Sequence, residues 1–100
     1  MSDVPPLFLR RVAQREFDHA ADWYDGQRAG LGSRFIEAVN KVFDRIAENP
    51  EAYAIVHEDL RMALVRRFPY AVYYRVEPAQ IVVVAVIHTA RDPAIWQSRS

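Results

Sequence analysis

Seven consecutive apolar residues, Ile81 to Ile87, constrain this chain more than any other stretch. The run is too short to cross a membrane, and its valines and isoleucines favour a strand covered on both faces. Two further segments rich in aromatic and β-branched residues precede it, Arg61–Arg67 and Tyr70–Val76. Pro69 and Pro78 cannot donate to a sheet ladder, so they mark the reversals between three successive antiparallel strands. Alternation then sends Tyr70, Val72, Tyr74 and Val76 to one face and Ala71, Tyr73 and Arg75 to the other. A loop at Glu77–Gln80 sets Val76 opposite Ile81. Strict alternation then puts Arg75 on the face of Val82, Val84, Val86 and His88.

Ahead of these strands the hydrophobic period becomes helical. Leu7–Val12 reads as a short first strand after a tail, Met1–Pro6, that Pro5-Pro6 keeps extended. Ala13, Phe17, Ala20, Ala21 and Tyr24 then recur at helical spacing, with Arg15, Glu16, Asp18, Asp22 and Asp25 largely on the wet side. Gly26 and Gly30 bracket a break. A second helix opens near Ser33 with Phe35, Val39, Val42, Phe43 and Ile46 as its stripe, and Asn49-Pro50 stops it. So short a connection implies an antiparallel helical hairpin. Glu51–Leu60 reads as a polar connection pinned by Tyr53, Ile55 and Val56. Asp92-Pro93 opens a short C-terminal helical turn anchored by Trp96. The order β-α-α-β-β-β gives an α+β fold, an antiparallel sheet packed by a helical hairpin, in one domain over residues 1–100.

The chain has 51% hydrophobic residues, enough for one core, and no cysteine, which excludes disulfide and thiolate chemistry. No signal-like opening precedes the tail, so a cytoplasmic location is the expectation. The net charge is zero but unevenly spread: residues 1–60 carry seven basic against eleven acidic residues, and residues 61–100 six against two. Twelve of the thirteen basic residues are arginine, a bias that fits either genome composition or a positive surface for an acidic partner. A chain of zero net charge is a poor general nucleic-acid binder. His19 and His57 have no second histidine or cysteine at ligand spacing, so neither a metal nor another cofactor is expected.

Several short motifs carry a resemblance. They are Ala21-Asp22-Trp23-Tyr24, Leu31-Gly32-Ser33-Arg34-Phe35, Asn49-Pro50-Glu51-Ala52-Tyr53, Arg61, Arg67-Phe68-Pro69-Tyr70, Tyr73-Tyr74-Arg75-Val76 and Val86–Pro93. In this order they resemble the RelE/ParE superfamily of type II toxin–antitoxin toxins, also known as plasmid-stabilisation proteins. RelE-like members cleave mRNA on the ribosome, and ParE-like members poison DNA gyrase. The Phe-Pro-Tyr and Tyr-Tyr-Arg-Val motifs, the His88…Arg91-Asp92 tail and the neutral charge look more like the ParE branch. The resemblance therefore implies a growth-arresting toxin that inhibits DNA gyrase without catalysis and is neutralised by a cognate antitoxin. Arg61, Arg67, Arg75, His88 and Arg91 would meet the target. The antitoxin's C-terminal segment would wrap the hairpin and sheet at Trp23, Tyr24 and Phe35.

The alternative is a ribosome-dependent mRNA endonuclease with His88, Arg75 and Arg91 as its acid–base and phosphate-supporting groups. A third reading is a relic that only binds its antitoxin and helps repress the operon. Each candidate also has a plain structural reading. Arg75 can pair with Glu58, Asp59 or Asp92, and His88 can cap a strand end. Arg66-Arg67 can be a solvated strand end, and Trp23 can close the seam between helix and sheet.

Overall fold

The computed structural model describes residues 4–100, so the first half of the expected tail, Met1–Asp3, lies outside the described residues. Strand β1 (Leu7–Leu9) leads directly into helix α1 (Arg11–Gln27), followed by α2 (Leu31–Glu48) and a 3₁₀ turn at Pro50–Ala52. Strands β2 (Ile55–His57), β3 (Leu60–Leu64), β4 (Tyr70–Val76) and β5 (Ile81–His88) follow, and α3 (Ala94–Gln97) ends the fold. The five strands form one sheet in the order β1-β5-β4-β3-β2.

The α+β class and the hairpin are as expected, with four differences in the strands. The expected first strand, Leu7–Val12, stops at Leu9, and Arg11 and Val12 already belong to α1. The sheet is mixed, because β1 pairs in parallel with β5, Leu7 beside Ile81 and Leu9 beside Val83. The expected polar connection contains a strand: β2 pairs with β3, and Ile55 and Val56 are exposed edge residues instead of anchors. Its position follows from backbone pairing, which side-chain pattern does not report. Last, β3 ends at Leu64, which leaves Arg66 and Arg67 in the turn. Arg67 takes a left-handed backbone there, with φ 71°.

The helical stripes land as the period requires. Ala13, Phe17, Ala20 and Ala21 of α1 meet Phe35, Val39, Val42 and Ile46 of α2 and the inner face of the sheet. Phe35 is 0% exposed, and burying such a ring contributes about 1.5–3 kcal/mol. The helices approach closely because position 32 has no side chain. A Cβ on Gly32 would sit 2.5 Å from the Ala21 carbonyl oxygen. Asp25 Oδ1 fastens the connection by accepting from the N–H groups of Gly30 (3.1 Å) and Gly32 (3.0 Å), while Gly30 turns the chain at φ 89°. The outer face of the sheet has a second, smaller cluster under α3. Trp96 stacks on Tyr73 there at 4.1 Å and 14°, and Asp92 Oδ1 accepts from Ala94 N–H at 3.0 Å.

One irregularity repositions the candidate site. Val76 faces Ile81 and Arg75 faces Val82, but Tyr74 opposes Val83 and Tyr73 opposes Ala85, so Val84 is an extra residue. Such a bulge breaks the two-residue alternation. Val84 and Ala85 both join the outer cluster, while Val86 turns to the hairpin side. His88 pairs with Tyr70 on that same side. The expected grouping of Arg75 with Val86 and His88 is thus overturned by one inserted residue.

Candidate functional site

A groove of about 760 Å³ opens between α1 and the ends of β4 and β5. Its wall on α1 comes from the polar-side positions next to the buried stripe, and its floor from the strand ends past the bulge. Four rings run across it. Trp23, 55% exposed, meets Tyr24 edge-on at 5.1 Å. Tyr24 meets Tyr70 at 5.9 Å, and Tyr70 meets His88 at 5.4 Å. Burial raises the phenol pKa of both Tyr24 and Tyr70, with Arg91 opposing the rise at Tyr70. Both hydroxyls are therefore neutral donors at ordinary pH. His88 Nδ1 accepts from the Ala90 N–H at 3.0 Å, which puts the hydrogen of the neutral ring on Nε2. The capping reading of His88 fits this geometry.

Beneath the rings lies an ion pair not anticipated from the sequence. Glu16 accepts a two-pronged contact from Arg99, Nη1 to Oε1 at 2.9 Å and Nη2 to Oε2 at 3.0 Å, and each side chain is only 18% exposed. The same pair serves backbone groups of β5 beside the bulge. Val86 N–H donates to Glu16 Oε1 at 3.2 Å, and Arg99 Nη1 donates to the Val84 carbonyl at 3.0 Å. Pairing with β1 stops at Leu9, so these groups would otherwise lack partners. Arg10 Nη1 donates to the Arg99 carbonyl at 3.2 Å and ties down the chain end. Periodicity placed Glu16 on the wet face of α1. Nothing local marks a partner 83 residues away.

The five residues expected to meet a target separate into four places. His88 and Arg91 line the aromatic groove beside Trp23 and Tyr24. Arg61 holds the turn after α2, its Nη1 donating to the carbonyls of Tyr53 (2.6 Å) and Glu51 (3.1 Å). Tyr74 hydroxyl donates to the Pro50 carbonyl of the same turn, and burial pushes its pKa up to about 12 against the opposing charge of Arg61. Arg75 pairs with none of the three expected acids. It donates from Nε to Glu77 Oε2 at 3.0 Å. Hydrogen bonds from Gln80 and then Arg75 hold the Glu77 carboxyl below its usual range. Phe35, expected at the antitoxin contact, is sealed in the core and offers no surface.

Arg67 belongs to a second groove, of about 780 Å³, between α2 and the β3–β4 turn. Arg34, Lys41, Arg45, Arg66 and Arg67 line it, with Glu37 the one acid. Among the described residues no group of three or more His, Cys, Asp or Glu could hold a metal ion. No described helix is long and apolar enough to cross a membrane.

The His88, Arg75 and Arg91 set needed for nucleolytic chemistry is not assembled. Arg75 lies five residues along β4 from Tyr70, the partner of His88, about 17 Å away along the strand. It also projects from the outer face.

Comparison with known proteins agrees with this architecture. No curated protein matches the chain in sequence. Among solved structures, a chain described as the chromosomal ParDE TA system from P. aeruginosa superposes with a TM-score of 0.64 at 19% identity. The match covers 87% of this chain and 98% of that one, and at such identity it shows the fold. A family model described as the ParE toxin of the type II toxin–antitoxin system parDE matches residues 7–93, and the chain belongs to that family.

Proposed function

We propose that this ParE-family toxin arrests replication by binding and inhibiting DNA gyrase, and that an antitoxin silences it by occupying the aromatic groove. The observation that carries the reading is the division of the charged candidates. A nuclease needs His88 and its supporting arginines around one phosphate, yet Arg75 is spent on Glu77 at the far end of β4. What His88 and Arg91 do share is a groove with Trp23, whose exposed ring is the kind of anchor a protein partner buries. A helical or extended antitoxin segment with apolar residues on one side fits there. Arg67 and Arg91, both exposed, are the proposed target contacts, while Arg61 and Arg75 shape the surface from behind.

The test is pulse labelling after the chain is induced without antitoxin, paired with a gyrase supercoiling assay on purified components. Early loss of thymidine incorporation and of supercoiling is expected. Early loss of amino-acid incorporation, with DNA synthesis intact, would replace gyrase by the ribosome.

A further inference from the structure

The basic groove has no part in the antitoxin contact proposed above and shares only Arg67 with the target contact, and its make-up points to a ligand of its own. Arg34, Lys41 and Arg45 recur on α2 at i, i+7 and i+11, so they form one row about 16 Å long. Arg66 and Arg67 face that row from the β3–β4 turn. Glu37 is engaged with Lys41 at 3.6 Å in an exposed pair. Among the described residues, the guanidinium groups of Arg34, Arg45, Arg66 and Arg67 make no ion pair and no hydrogen bond. Five crowded cations repel one another, and the fold gains no internal contact from four of them. With five cations and one acid here and zero net charge in the whole chain, the remainder carries −4. A neutral protein thus presents one strongly positive strip.

The lining tells which polyanion fits. A protein partner needs a large apolar anchor to bury, and this groove exposes none. Val42 is 3% exposed, Leu31 is half-buried, and Phe68 is half-buried against the core. A phosphate backbone needs no anchor, because its affinity comes from releasing condensed counterions. Guanidinium groups match phosphate oxygens in two-pronged geometry, and the row spans about five base-pair steps of ~3.4 Å each. We infer that the basic groove seats the phosphodiester backbone of duplex DNA, with no readout of bases. Choosing DNA over other duplexes rests on the gyrase reading, since a toxin docked on gyrase sits beside DNA.

The experiment is a fluorescence-anisotropy titration of a labelled duplex DNA of about 20 base pairs with the full chain. Duplex RNA of the same sequence and polyglutamate serve as competitors. Four phosphate contacts predict about a hundredfold loss of affinity between roughly 50 and 200 mM salt. Arg34→Glu with Arg45→Glu changes exposed helix positions, and an unchanged melting curve confirms the fold. This double variant should bind at least tenfold more weakly and with a flatter salt slope. Glu37→Gln should bind more tightly, and Trp23→Ala should bind like the parent. Failure of the parent to bind DNA, undiminished binding by the double variant, or preferential displacement by RNA or polyglutamate would each overturn the assignment. Gyrase inhibition is scored separately. A groove that binds DNA on a chain that spares gyrase sinks only the target reading. A chain that inhibits gyrase without binding DNA sinks only the groove.

Discussion

The hairpin is flanked by two grooves of nearly equal volume, about 760 and 780 Å³, with opposite chemistry. The α1 groove is aromatic, and its buried ions are already paired through Glu16 and Arg99. The α2 groove is cationic, and most of its ions have no partner in the described fold. The contrast teaches what each surface can be for. Where charge is satisfied internally and a large ring is exposed, burial of that ring drives association. Where charge is unsatisfied and no ring is offered, only a polyanion gains by binding.

The largest effect should come from removing the exposed anchor. Trp23→Ala is expected to weaken antitoxin binding by about 2–4 kcal/mol, measured by calorimetry, with little change in melting temperature. An unchanged affinity would erase the functional difference between the grooves. Next is the ion pair that floors the aromatic groove. Glu16→Ala strands Arg99 and frees the Val86 N–H, and should cost about 2–3 kcal/mol in urea unfolding. Arg99→Met combined with Glu16→Met should cost less than the sum of the two single changes. Additive losses would show that the two side chains do not act as a unit.

The smallest effect sharpens the α2 side, where Tyr74 tethers the turn that ends the helix. Tyr74→Phe should cost about 1 kcal/mol at neutral pH through the lost hydrogen bond. The pH dependence follows from its phenol, at about 12 when folded and near 10 when unfolded. The unfolded chain loses this proton first, so the stability is fully present below pH 10 and drains away as pH rises towards 12. Stability of the parent should therefore fall over that window by on the order of 1–2 kcal/mol more than that of Tyr74→Phe. Tyr24, Tyr70 and Tyr73 are raised by burial too, so both proteins keep some alkaline sensitivity. Equal slopes would mean the Tyr74 phenol is not the source.

Much of this architecture is legible from residue period alone. The 3.6-residue stripes of α1 and α2, the stop at Asn49-Pro50, the reversals at Pro69 and Pro78 and the Trp96 anchor are local consequences of side-chain shape and polarity. They need no knowledge of distant partners. The edge strand β2 and the parallel pairing of β1 depend on which backbones meet, and side-chain pattern carries little of that. The candidate site is legible in part, since Trp23, Tyr24, His88 and Arg91 stand out in the sequence and do share a groove. Arg61 and Arg75 looked equally available, because a guanidinium held by a backbone carbonyl or a neighbouring acid reads in sequence like a free one.

The sequence by itself determined that the chain makes a helical hairpin on a sheet, and its motif order matched the toxin family. Only the tertiary structure decided which residues act together. One extra residue at Val84 turned His88 away from Arg75 and towards Trp23, because a sheet keeps its two-residue alternation only while every residue has an opposite. Likewise, cations that the sequence scatters from Arg34 to Arg67 become one strip when α2 crosses the β3–β4 turn. Charge is fixed along the chain, but a field depends on distance in space.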